Sequence, residues 1–364
     1  VTRHTDPPPA ERRSDAGGAA DREAQLFQGS RRSKRPGGRR RGGGEPTVVP
    51  DAEFRSYYGR PVLKAPVWEW KIAAYLFCGG LAAGSSVVAA GADLTGRPGL
   101  RRAGWLGSFG ALLASLWFLV SDLGRPDRFH HMLRVLKPTS PMSVGTWILS
   151  AFGPGVAVAA AAELVPARWR RTWPARLLAR LARPAGLSSA VTAPGVASYT
   201  AVLLSHTAVP GWSEVRDELP FVFVGSAAAS GGGFGMLCAP VAETGPARAF
   251  AAVGAASELA ASRVMEHRLG LVGEVYRKGH VGRLRRASEL LTAAGLAGTL
   301  LVAGRSRAGA AASGLALLAG SALQRFGVFE AGVASTKDPR YVVVPQRERL
   351  EARAQAGETV RGEA

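Results

Sequence analysis

Only two cysteines occur in 364 residues, Cys78 and Cys238, and both sit inside apolar stretches. That leaves no set of ligands for a disulfide framework, a cysteine zinc site or an iron–sulfur cluster held by this chain. Histidine is nearly as scarce. Of His4, His130, His131, His206, His267 and His280, His206 alone falls within a long apolar segment. A haem held between histidines on two facing helices therefore lacks its second ligand. Acids are few: 27 Asp and Glu stand against 46 Lys and Arg, a formal charge of +19. Such a surplus would suit nucleic acid, but the basic residues lie in short clusters between apolar blocks, as membrane loops require, which argues against that partner.

What is present comes in blocks. Residues 1–55 are rich in Gly, Pro, Arg, Asp and Glu and poor in branched apolar side chains. They cannot bury enough surface to offset the entropy of ordering, so a disordered basic N-terminal tail is expected. Within it Arg31–Arg41 carries seven basic residues and no acid, suited to an anionic lipid surface. Residues 56–335 form the membrane domain and 336–364 a C-terminal tail. Eight apolar segments follow one another at 68–92, 103–121, 143–165, 189–209, 219–240, 246–262, 287–304 and 309–330. Each is close to the roughly 20 residues that cross about 30 Å of hydrocarbon as a helix. The expected fold is all-α, a polytopic integral membrane protein of eight transmembrane helices. Gly80 and Gly84, and again Gly231 and Gly235, have the small-xxx-small spacing of closely packed membrane helices.

An even number of spans puts both tails on one side, here the tail face. Lys and Arg balance between the short loops of the two faces. The flanking residues Arg55, Arg60, Lys64, Lys337, Arg340, Arg347 and Arg349 tip the count, so the positive-inside rule places both termini in the cytoplasm.

Ionisable groups inside spans are expensive in hydrocarbon and stand out as functional candidates. Lys71 and Tyr75 lie one and two turns into the first span from the tail face. Tyr199 and His206 share a helical face of the fourth, with Tyr199 about 13 Å deep by helical rise. Asp122, Glu258, Glu289, Arg325 and Glu330 also read as near the tail face, whereas Asp93, Glu163 and Glu243 read as opposite. Each has a bland account too: Tyr75 as an interfacial anchor, His206 bonding a neighbouring helix, Arg325 and Glu330 snorkelling. Between spans two and three, residues 122–147 form a charged hairpin that carries Arg125, Arg128, Arg134 and Lys137 to the membrane surface, where it faces water or a partner protein. No series of acids joins the two faces, so the sequence gives no support to transmembrane proton movement.

The runs YYGRPVLKAPVWEWKIAAYLFCGGLAAGS (57–85), DLGRPDRFHHMLRVLKPTSPMSVGTW (122–147), SYTAVLLSHTAVPGW (198–212) and RFGVFEAGVASTKDP (325–339) resemble the NrfD and polysulfide reductase membrane-subunit family over about residues 57–345. The resemblance implies two four-helix bundles in the cell membrane and a quinone-reactive subunit with no haem or iron–sulfur cluster of its own. It would exchange electrons between menaquinone or ubiquinone and a 4Fe-4S ferredoxin-like subunit linked to a molybdopterin-type catalytic subunit. By motif position the quinone-binding residues fall on Lys71 or its neighbour Ile72, on Tyr75 and on Tyr199. The polysulfide reductases have histidine where Tyr75 stands here; a tyrosine hydroxyl still bonds a quinone carbonyl. Asp122, His206 and Glu69 are the expected proton carriers to the tail face. In most such complexes the partner lies outside the cytoplasmic membrane, whereas the charge balance here favours a cytoplasmic one. A secondary transporter and a purely structural membrane anchor are the competing readings.

Overall fold

A computed structural model of the protein describes residues 61–355. The expected N-terminal tail, with Arg31–Arg41, Arg55 and Arg60, lies outside the described residues. Their regular elements are all helices, with no strand among the described residues. We number the long helices α1 (Trp70–Leu94), α2 (Pro98–Ser121), α3 (Pro141–Leu164), α4 (Trp173–Ser205), α5 (Leu219–Cys238), α6 (Gly245–Arg268), α7 (Gly279–Leu301), α8 (Arg307–Ser335) and α9 (Arg340–Gln355).

Helix starts follow from local chemistry. α2 through α6 each carry proline in the first turn, where its missing N–H leaves no hydrogen bond unmade. Ser140 and Ser306 cap α3 and α8 by accepting from the N–H three residues on. Residues 336–364 were expected as a plain tail, yet the hydrogen-bonded turn at Asp338–Arg340 starts α9. The fourth apolar segment also grows: α4 begins at Trp173, sixteen residues before the expected 189, because the intervening Arg-rich stretch continues the helix out of the apolar zone. Pro184 and Pro194 are accommodated inside it.

Helices α1–α5 are long and apolar enough to cross a membrane. The helices α6, α7 and α8 sit at the last three expected segments and are 24, 23 and 29 residues long, but charge interrupts them. The reason is visible in α6, whose Glu258, Arg263 and Glu266 all lie within one helix.

The packing repeats with a period of four helices. α1 lies on α2 and α4, and α3 on α4; correspondingly α5 lies on α6 and α8, and α7 on α8. α1 and α5 meet along the centre. There Gly84 and Gly231 face each other so closely that a Cβ on either would run into the partner backbone, at Ala227 or at Gly84 itself. The glycines expected to serve packing do so at this crossing.

Candidate functional site

Tyr75 reaches from α1 and Tyr199 from α4, and their hydroxyls meet in a direct hydrogen bond. Tyr75 is 4% exposed, and the Ser115 hydroxyl on α2 donates to its backbone carbonyl at 3.2 Å. Tyr199 is seated by an absence. Gly145 on α3 lies where any Cβ would enter the Tyr199 ring. This role was hidden in the hairpin motif, since the signal was a glycine twenty-three residues past Asp122 and far in sequence from Tyr199.

The two tyrosines line a cavity of about 570 Å³ enclosed by α1, α2, α3, α4 and the 122–133 segment. Its wall is Ile72, Leu76, Leu112, Leu116, Leu149 and Leu203 among others, with Trp68 and Phe129 towards the tail face. A cavity of this size is within the range that holds a drug-sized ring system, and a largely apolar wall with a few convergent hydroxyls suits a flat apolar molecule bearing polar ends.

Asp122, the C-cap of α2, is the ionisable residue on this wall. Its carboxylate faces the backbone N–H of Glu69. Burial pushes its pKa up from the ordinary carboxylate value; the Glu69 N–H opposes this, the Glu69 carboxylate adds to it, and Lys71 opposes it.

The remaining expected site residues are arranged differently. Lys71 turns out of the cavity to pair with Glu69 at 2.9 Å, and its neighbour Ile72 takes the place on the wall. Glu69 is mostly exposed and touches the site only through its N–H on Asp122. His206 is exposed and closes its own helix, with Nδ1 2.9 Å from the Val202 carbonyl. The physical reason is common to all: helix ends offer nearer partners than the cavity does. On the hairpin, Arg125, Arg128, Arg134 and Lys137 are exposed, flanked by exposed Phe129, Leu133, Val135 and Leu136. Two of the acids expected at the opposite face are tied together: Arg101 bonds Glu163 at 2.7 Å and Asp93 at 3.3 Å, while Arg183 holds Asp93 at 2.9 Å. Arg325 and Glu258, expected near the tail face, are instead deeply buried, because helices α5 and α8 close over them. Arg325 does not snorkel.

Residues 62–253, a little over half the chain, match the family described as polysulphide reductase, NrfD. The protein belongs to that family. It is also 32% identical over 152 residues to the C subunit of the polysulfide reductase of Wolinella succinogenes, a match that covers 38% of this chain and 48% of that protein. The NrfD match takes in α1 to α5 entire and the start of α6, the same helices that are apolar enough for a bilayer. Together they make this a multi-pass membrane protein of the NrfD family.

Proposed function

We propose that this NrfD-family protein is the quinone-reactive membrane anchor of a larger oxidoreductase, with menaquinone or ubiquinone as its mobile substrate. The observation that carries the reading is the hydroxyl pair of Tyr75 and Tyr199 inside an apolar cavity whose wall also bears Asp122. A quinone needs a donor at a carbonyl, an apolar wall for its ring, and a proton route to water. The tyrosines supply the first, and either hydroxyl can turn from its partner to the substrate. A partner's 4Fe-4S cluster would take or supply the quinone's two electrons one at a time, while two protons are exchanged at the quinone oxygens. Asp122 carries protons between the cavity and the tail face.

In this reading α1–α8 all cross the cell membrane as two four-helix bundles, with both termini in the cytoplasm. The repeated packing of α1–α4 and α5–α8 supports the bundles. The hairpin cations and their exposed apolar neighbours form the docking surface for a ferredoxin-like subunit, linked in turn to a molybdopterin-type subunit. The Wolinella relative is itself named as one lettered member of a set, which fits a protein that works with others. The present chain spans about half the length of that relative.

The direct test is quinone turnover by the assembled complex, with partner reduction followed optically, for wild type and for Tyr75→Phe and Tyr199→Phe. Both variants should remain in the membrane with turnover reduced. Unaltered turnover in both would remove the tyrosines from the site.

A further inference from the structure

The second half holds an interior that quinone chemistry leaves unused. Glu258 on α6, Gln324 and Arg325 on α8 and Arg285 on α7 are each at most 5% exposed. Arg285 bonds Glu266 at 2.6 Å and reaches the Gln324 side-chain oxygen. Arg325 donates to the Phe223 carbonyl at 2.7 Å and lies on that ring. Both guanidinium groups act on the Glu258 carboxylate.

Despite these bonds, five polar atoms in this one cluster have no partner: Glu258 Oε2, Arg285 Nε, Gln324 Nε2, Arg325 Nη1 and Thr292 Oγ1. Buried polar atoms are almost always bonded to protein or to ordered water. One orphan is a local defect, but five on adjacent helices describe a hydrated path. Ionisable groups within a bilayer are costly unless paired or hydrated, and they commonly mark proton or ion paths.

The path has a direction. Glu266 lies two residues from the tail-face end of α6 and is part exposed, whereas Glu258 is ten residues from that end, about 15 Å deep. Arg325 is likewise ten residues from the end of α8, and α1 meets it at Gly80, ten residues from Trp70. Three helices thus agree on one depth, about 7.5 Å below Tyr75 by helical rise. Level with Glu258, where α5 meets its backbone at Gly225, the polar groups change to hydroxyls: Ser226 bonds Ser321 at 2.9 Å, and deeper along α1 Ser85 has a buried, unpartnered hydroxyl.

We infer that Glu258 is a proton-loading site in the middle of the membrane, filled from the tail face through Glu266, Arg285, Gln324 and the waters between them. This rests on the quinone reading only for its driving reaction. A proton leaves tail-face water, protonates the Glu258 carboxylate and departs along the serine hydroxyls towards the other face. No electrons move in this half. Arg325, packed between Glu258 and α1, is the positioning residue that ties loading to the quinone half.

The test uses the whole complex in liposomes with quinone, reading protons displaced per quinone turned over. Wild type should exceed the protons accounted for by quinone chemistry alone. Glu258→Gln should fall to that lower count with turnover within about threefold of wild type. Glu258→Asp, which keeps an acid if the amide does not assemble, should recover part of the excess. An unchanged count in Glu258→Gln, or a wild type that moves only the quinone's own protons, would overturn the inference. Infrared absorption during a pH titration without quinone reads the site independently. A protonated-carboxyl band present in wild type and missing in Glu258→Gln supports it, and identical spectra count against it. A complex that passes this titration but never turns over quinone would fail the proposed function alone.

Discussion

The two halves of the membrane domain share a packing plan and differ in what they enclose. Around α1–α4 the interior is a cavity of about 570 Å³ with a largely apolar wall and two tyrosine hydroxyls. Around α5–α8 the corresponding space is filled by Glu258, Arg285, Gln324 and Arg325 and their unpartnered polar atoms. One scaffold thus presents an open apolar slot for a ligand on one side and a closed ionic interior on the other. The lesson is that helix packing sets where an interior lies, while a handful of side chains decides whether it is an apolar slot or an ionic interior.

The comparison breaks most completely at the seam. Gly84→Leu or Gly231→Val puts a side chain into the backbone of the facing helix, which cannot move aside as a flexible side chain would. The cost should reach or pass the upper end of the about 1–3 kcal/mol typical of overpacking. The expected result is loss of monodisperse protein on size-exclusion chromatography after extraction. By contrast Gly91→Ala, on the same helix with nothing within 4 Å of its added Cβ, should extract normally.

Next in size is the tyrosine pair. Each hydroxyl lost should cost about 1.5–3 kcal/mol of transition-state stabilisation, or about 10–100-fold in quinone turnover, as for a hydrogen bond to a charged group. Because the two hydroxyls bond each other, the double Phe variant should lose less than the product of the single effects. A strictly multiplicative loss would mean that the tyrosines act at separate places.

How far all this was legible in the amino-acid sequence depends on the residue. Apolar block length was enough to locate α1–α8 as helices, of which α1–α5 also have the composition a bilayer imposes. Depth counting from the helix ends brought Tyr75 and Tyr199 to one level, and they do touch. It says nothing of where Lys71, Glu69 and His206 turn, because depth carries no information about the side of the helix or about nearer partners such as the Val202 carbonyl. Glu258 and Arg325 were read singly as near-surface charges. Their proximity depends on how α6 and α8 pack on α5, and a spacing of sixty-seven residues does not show it. Gly145 carried no polar signal at all, and its part in seating Tyr199 emerges only from the approach of α3 to α4.

A middle-sized effect sharpens the role of Asp122. On the proposed reading it accepts a proton when quinol is oxidised, so its carboxylate form is the active one, and that form is lost as pH falls. Burial raises its pKa, so the acid limb of turnover should lie higher than an unperturbed aspartate would set it. Asp122→Asn should lower turnover by about tenfold, the scale of one misplaced proton carrier. It should also erase that limb from the pH profile. A limb that survives unchanged in the amide variant would assign it to another group.

The smallest expected effect is the one that tests the first half as an apolar slot. His206 is the histidine of the spans, and by composition alone it is the natural proton carrier. Its ring is exposed, its Nδ1 lies 2.9 Å from the carbonyl one turn back on its own helix, and it has no place on the cavity wall. Removing it exposes a carbonyl that water can satisfy, at the low end of the about 0.5–1.5 kcal/mol of a net hydrogen bond. His206→Ala should therefore leave quinone turnover within about twofold of wild type and its acid limb unmoved. A loss comparable to that of Asp122→Asn would instead make His206 part of the route, and the proton path of the first half would run out beside α4 rather than past the end of α2.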